Sequence, residues 1–168
     1  MEQVRKQVEM CDNLTCFNCV HSYAGGTGSG LTSLLIEKLT NDYGKKYKLS
    51  FGIYPSPRLS QAVVDPYNAI LHTHAALEHM DCVVLMDNES LYNTAQYKLK
   101  VPNPTFVLLN RMISNIVSSS FLSHRFKYPG SKHADFTEIL TNLIPFPRIH
   151  FPLIGYAPLL SHDDLDHS

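Results

Sequence analysis

The sequence predicts an α/β fold on a parallel sheet, and two observations carry that prediction. Apolar runs of strand length at residues 16–20, 48–54 and 82–86 are each followed by a stretch of helical periodicity. Half of the eight glycines, Gly25, Gly26, Gly28 and Gly30, crowd the turn after the first run. Strand, glycine turn and helix in that order make a phosphate-binding arrangement. Glycine admits positive φ and the close approach of an anion, and the helix start offers unpaired N–H groups and a positive dipole end. Repetition of strand and helix implies right-handed crossovers within one parallel sheet.

The composition is that of an ordinary globular chain: 168 residues, 44% hydrophobic and 17% charged. A chain of this size buries roughly 70% of its unfolded surface, enough for one core. A net charge of −1 leaves no electrostatic footprint for nucleic acid or an anionic membrane, and neither is expected as a partner. No run approaches the ~18 apolar residues of a spanning helix, and the charged first ten residues do not read as a signal peptide, so the cytoplasm is expected. Cys11, Cys16, Cys19 and Cys82 are too few and scattered for a disulfide framework. Cys16 and Cys19 form a C-x-x-C near His21, but residues three apart on a strand face opposite sides and no second ligand pair follows. No metal site is expected.

In chain order, residues 1–11 read as a helix and 14–22 as the strand feeding the glycine turn. Asn18 is out of place there, because a strand covered on both faces is apolar and an unpaired buried amide costs about 1–3 kcal/mol. A helix over 29–43 stops at Gly44, with Lys45 and Lys46 beyond. After the strand at 48–54, Pro55-Ser56-Pro57 opens a loop through Val64. Asp65-Pro66 restarts a helix, with Asp65 as its cap and Tyr67, Ile70, Leu71, His74 and Leu77 as its apolar face. Asp87-Asn88-Glu89 opens the next helix, to about Leu99, and Pro102-Asn103-Pro104 closes it.

The longest periodic stretch is 105–126, with Leu109, Met112, Ile113, Ile116, Val117 and Phe121 on one stripe. As a single helix it would be about 33 Å long. Residues 127–134 read as a loop, 135–143 as a short helix capped by Asp135, and 149–156 as a strand starting a second sheet. The polar residues 161–168 are expected to fray. His72 and His74 lie on different helix faces without carboxylate partners, so His72, His74 and His79 are expected in surface or capping roles.

The glycine cluster fails two common codes. A Walker A loop requires lysine where Leu31 stands, and the dinucleotide code finds only a weak match in the register from Gly28 and Gly30, with Ser33 in place of its third glycine. The cluster reads AGGTGSG and resembles the tubulin signature GGGTGSG, with Ala24 replacing the first glycine. The resemblance runs on through SLLIEKL, DYGKK, AVVDPYN, LNRMIS, IVSS, TNLIPFPRIHFPL and YAP, and is to an α-type chain over the middle of the family's length. It implies a partial doubly wound parallel sheet of the tubulin GTPase domain over residues 1–126, including a long central helix. Residues 127–168 would begin the intermediate domain.

The resemblance also implies a guanine-nucleotide site. Ser22, Gly25, Gly26, Thr27 and Gly28 match the loop that cradles phosphate, Asn88 and Asn110 the asparagines that read guanine and ribose, and Phe106 the aromatic that stacks on the base. Asparagine offers donor and acceptor to a purine edge, and an aromatic face supplies stacking. Asp65 stands where the family has a glutamate near the ribose, and Gln61 where α-tubulin has threonine. Taken singly, Asn88 reads as a helix cap and Phe106 as core. GTP and Mg²⁺ are the implied cofactors, the family's magnesium ligand lying outside this chain.

Glu138 matches the acidic residue with which an α-type subunit acts on the GTP of the adjoining β-type subunit, giving GDP and phosphate. A carboxylate that orients water suits phosphoryl transfer. His133 replaces the family's loop asparagine, and the loop from Arg125 to Glu138 is two residues longer. The implied partners are a β-tubulin-like subunit and the microtubule lattice, in the cytoplasm and cytoskeleton. The alternative is a shortened tubulin-like chain without nucleotide binding or polymerisation. A Rossmann oxidoreductase ranks third, since Tyr54 and Pro55 stand where an acidic residue would hold the ribose.

Overall fold

A computed structural model describes residues 1–56, 62–126 and 136–157. Helix α1 (Glu2–Glu9) leads to strand β1 (Cys16–Ser22), and a single π turn (Thr27–Leu31) opens helix α2 (Thr32–Asp42). Strand β2 (Tyr47–Tyr54), helix α3 (Asp65–His79), strand β3 (Cys82–Asp87) and helix α4 (Asn88–Tyr97) complete the repeat, followed by α5 (Phe106–Ser120), α6 (Leu122–Arg125) and α7 (Phe136–Leu143). The sheet is three-stranded and parallel in the order β1-β2-β3. The α/β fold expected from the strand and helix repeat is the fold observed.

Strand alternation divides the sheet between two cores. Leu49, Phe51, Cys82 and Met86 pack with Leu91 and Ala95 of α4, Leu109, Met112 and Ile116 of α5, and Leu140 of α7. Tyr23 and Val83 pack with Ile36 of α2 and with Ala69 and Ala76 of α3 on the other side. Cys16 belongs to the first core and Cys19 to the second, as the alternation requires. All four cysteines are free. β1 has one strand neighbour among the described residues, and Asn18 and Val20 on its α5 side are exposed. The desolvation cost expected for Asn18 therefore does not arise.

Four further expectations are corrected. The stripe on α3 that packs inward is Ala69, His72 and Ala76, while Tyr67, Ile70 and Leu71 are 68%, 65% and 70% exposed. Asp65 is the first helical residue, and the cap position falls to Val64 without a side-chain hydrogen bond. The central helix α5 has 15 residues, roughly 22 Å, and ends in a serine run. There the Ser120 hydroxyl donates to Ile116 O at 2.9 Å and Arg125 donates to Ser118 O at 3.1 Å, and the turn brings Phe121 to 5.9 Å from Phe51, centroid to centroid.

The second-sheet strand is also absent among the described residues. Residues 150–157 are irregular and attach instead to the existing sheet and to α3. Val83 N–H donates to His150 O at 2.8 Å, and buried His150 places Nε2 3.2 Å from Ala76 O. The expected loop at 127–134, the Asp135 cap and the polar end at 161–168 lie outside the described residues.

Candidate functional site

The register aligns the carboxyl ends of the three strands: Ser22 pairs with Ile53, Ile53 with Met86, and Tyr54 with Asp87. The glycine turn, Pro55-Ser56 and Asn88 all emerge from that edge, which is where open parallel sheets hold ligands. Ser22 closes β1, and its hydroxyl accepts from Ala24 N–H at 3.3 Å. The turn needs no left-handed backbone: Gly26 has φ −58° and ψ −39°, and Lys100 is the only described non-glycine residue with positive φ. The glycines serve space instead. A Cβ on Gly28 would stand 2.3 Å from Ser22 O, whereas Gly25, Gly26 and Gly30 have nothing within 4 Å of theirs. Their bare backbone faces open room at the start of an 11-residue helix, where N–H groups and dipole favour an anion. π turns of this kind recur at functional sites.

Two residues that the sequence reading left out of the site hold this turn. On α3, Asn68 donates through Nδ2 to Ala24 O at 2.8 Å. One helical turn on, His72 Nδ1 lies 2.9 Å from Ser29 O and 2.7 Å from Ser33 Oγ. The carbonyl can only accept, so Nδ1 carries the proton. Ser29 Oγ in turn donates to Gly25 O at 2.8 Å. His72, expected at the surface, is 1% exposed. Asn68 and His72 are four apart, which is the signal that would have placed both on one face.

Behind the turn, His21, Tyr23 and His72 form an aromatic cluster. His21 and His72 meet edge to face at 4.6 Å and Tyr23 meets His72 at 4.4 Å. His21 Nε2 is 2.8 Å from Ser50 Oγ, while His21 Nδ1, Tyr23 Oη and His72 Nε2 are buried without a partner. Burial, then the neighbouring His72, lowers the His21 pKa to about 4, and the backbone of Ser22 and Gly28 offsets part of this without completing a hydrogen bond to Nδ1. Burial likewise lowers the His72 pKa, against the bond to Ser29. The Tyr23 hydroxyl is pushed up by burial and then by Tyr54.

The remaining candidates are spread around the same edge and beyond it. Asp65 opens α3 and lines a small cavity with Tyr54, Pro55, Ser56 and Ile70. Asn88 is the first residue of α4, but the cap is Asp87, whose carboxylate accepts from Glu89 N–H at 3.1 Å. Phe106, the first residue of α5, is 70% exposed rather than core, 6.4 Å from the Tyr92 ring. Asn110 lines a cleft of about 610 Å³ between β1 and α5, together with Val20, Ile113 and Val117. Asn88 is thus not the cap of its helix, and Phe106 is not part of the core. Thr27 opens the π turn and is exposed, and Gln61 lies outside the described residues.

Glu138 sits elsewhere. It is exposed in the first turn of α7, a helix that packs through Leu140 and shares a cavity with Tyr47 and Asp81, at the amino ends of β2 and β3. The glycine turn lies at the carboxyl ends of the strands and the helix that carries Glu138 packs at their amino ends, and the eight residues of β2 separate those ends by roughly 23 Å.

A parallel α/β sheet with an open glycine turn at its carboxyl edge is the architecture in which open sheets hold ligands and helix starts favour anions. The description "Tubulin/FtsZ family, GTPase domain" matches residues 1–96. The chain belongs to this family. It is 52% identical to "Tubulin alpha-4 chain" of Drosophila melanogaster over 165 residues, which is 98% of this chain and 35% of that relative.

Proposed function

We propose that this chain is an α-type, guanine-nucleotide-binding constituent of microtubules, working in the cytoplasmic cytoskeleton. The observation that carries the reading is the glycine turn, open at Gly25, Gly26 and Gly30 and rigidly backed by Asn68 and His72. In this reading the amides from Ser22 to Gly28 and the Thr27 hydroxyl hold phosphate, Asn88 and Asn110 meet guanine and ribose, Phe106 stacks on the base, Asp65 borders the ribose, and Gln61 takes the place of α-tubulin's threonine contact. Bound GTP with magnesium would supply the γ-phosphoryl bond that is cleaved. The chain's own part is to bind and orient, with residues 127–168 opening the intermediate domain.

The position of Glu138 supports a head-to-tail assembly. A carboxylate on a helix packed at the amino edge of the sheet is too far from its own cradle to act there, but a stacked β-type neighbour would present its nucleotide to that edge. Such heterologous contacts propagate into filaments. Glu138 would orient the attacking water and accept its proton. With the chain added to a β-type subunit, Glu138→Ala is expected to abolish the stimulated GTP turnover; equal turnover with wild type would remove Glu138 from the mechanism.

In isolation, weak nucleotide binding is expected. No lysine or arginine lies between Ser22 and Leu31, so triphosphate charge is offset by amides and a helix dipole contributing roughly 0.3–2 kcal/mol. After an association cost of about 4 kcal/mol or more, the expected Kd is about millimolar or weaker. Titration with a fluorescent guanine nucleotide and magnesium checks this, with Thr27→Val and Asn110→Ala weakening whatever binding is seen. Tight micromolar binding lost in both variants would make the chain a complete switch by itself. Binding unaffected by either would favour the alternative without a nucleotide site.

A further inference from the structure

We propose that His21 and His72 form an acid-sensitive latch that holds the glycine turn in its present conformation and releases it when the pair takes up a proton. The inference concerns the turn itself and stands whether or not its ligand is a nucleotide.

The latch is built from neutral rings. His72 donates through Nδ1 to Ser29 O at 2.9 Å, and the same carbonyl accepts from Ser33 Oγ at 2.7 Å. Ser29 is itself 4% exposed and bonded through its hydroxyl to Gly25 O. One side chain on α3 thus fixes the carbonyl at the centre of the π turn, and through it the first glycine. The second nitrogen of His72 and Nδ1 of His21 are both buried without a partner. A proton added to His72 Nε2 becomes a buried charge with no acceptor, and one added to His21 Nδ1 is offset only in part by the backbone of Ser22 and Gly28; either sits in a ring 4.6 Å from another imidazole. Relief requires at least one ring to reach water, and His72 cannot move without dropping Ser29.

Backbone at Ser22, Gly28 and Ser29 offsets part of such a charge, but among the described residues no carboxylate pairs with either ring. β1 contributes Cys19, the residue just past its end is Tyr23, β2 contributes Tyr54, and α3 carries Asp65 and His79 seven residues either side of His72. Glu37 and Lys38 on α2 are exposed, and His150 is turned to the carbonyls of Pro147 and Ala76. Because the packed rings hold a proton less tightly than free histidine, the neutral latched form is favoured at and above the ordinary pKa of about 6.5. Acid favours the opened form progressively below that value, His21 reaching half protonation at about pH 4.

The test is a pH titration of the ¹⁵N-labelled full chain by NMR, following ring nitrogens and backbone amides from about pH 7.5 down to about 4. The turn amides of Gly25, Gly26 and Gly28 are expected to shift with the midpoint of the rings, while the α5 amides of Leu109 and Met112 stay in place. In His72→Gln, which keeps an N–H donor for Ser29 O but cannot titrate, the acid shift of the turn is expected to vanish and the His21 midpoint to rise. His21→Gln removes the second charge and is expected to move the turn transition to higher pH. Turn amides that stay flat while the rings titrate would overturn the proposal. So would an unchanged transition in both variants, or α5 amides moving at the same midpoint, which would mark global unfolding.

Discussion

Gly28→Ala is expected to destabilise the chain by about 3 kcal/mol and to disorder the glycine turn. The added methyl would stand 2.3 Å from Ser22 O, 3.0 Å from Ser22 N and 3.2 Å from Ser22 C. All three are backbone atoms at the end of β1, and that end is fixed, with Ser22 in register with Ile53 and Tyr23 N–H donating to Ile53 O at 3.0 Å. No rotamer relieves such a clash. Gly30→Ala is the matched control, two residues away with nothing within 4 Å of its Cβ. There the gain in helix propensity is expected to stabilise by up to about 1 kcal/mol. Urea unfolding of the two variants should therefore show shifts of opposite sign, and equal shifts would refute the steric account.

A larger loss, about 4 kcal/mol, is expected for Gly52→Ala in the middle of β2. Its Cβ would fall 2.2 Å from Tyr23 Cε2 and 2.7 Å from Cδ2, with Leu85 Cδ2 at 3.3 Å. Tyr23 is fully buried and is held between His72 at 4.4 Å, His21 at 5.3 Å and Tyr54 at 5.7 Å, so its ring has nowhere to turn. Tyr23→Ala alone leaves a cavity costing about 3–5 kcal/mol. The double variant is expected to lose about 2 kcal/mol less than the sum of the two single losses, because the alanine at 52 then fills part of the space that the ring vacates. Additive losses in the double-mutant cycle would mean that Gly52 is required for some other reason.

Much of this architecture was legible in the sequence because it depends on local pattern. Apolar runs, Asp87 ahead of α4 and the Leu109-Met112-Ile116 stripe each express a period or a turn chemistry that needs no distant partner. α3 shows where such reading stops. Tyr67, Ile70 and Leu71 are large and apolar at helical spacing, yet the packed stripe is Ala69, His72 and Ala76. Periodicity fixes the angle between stripes but not which stripe finds a partner. Small Ala69 and Ala76 admit the helix to Tyr23, and Ser29 and Ser33 give His72 the hydrogen bonds that make its burial tolerable.

The sequence by itself determined the fold class, the place of the glycine turn after the first strand and the membership of the tubulin family, since each is written in contiguous residues. Tertiary structure decided why the glycines are there and what holds them. Gly28 is required by Ser22, six residues earlier, Gly52 by Tyr23 just past the end of the neighbouring strand, and the conformation of the turn by Asn68 and His72 on α3. It also decided that the helix carrying Glu138 and the glycine turn lie at opposite ends of the sheet. These are relations between atoms far apart along the chain, and only close packing of the folded backbone brings them within reach of one another.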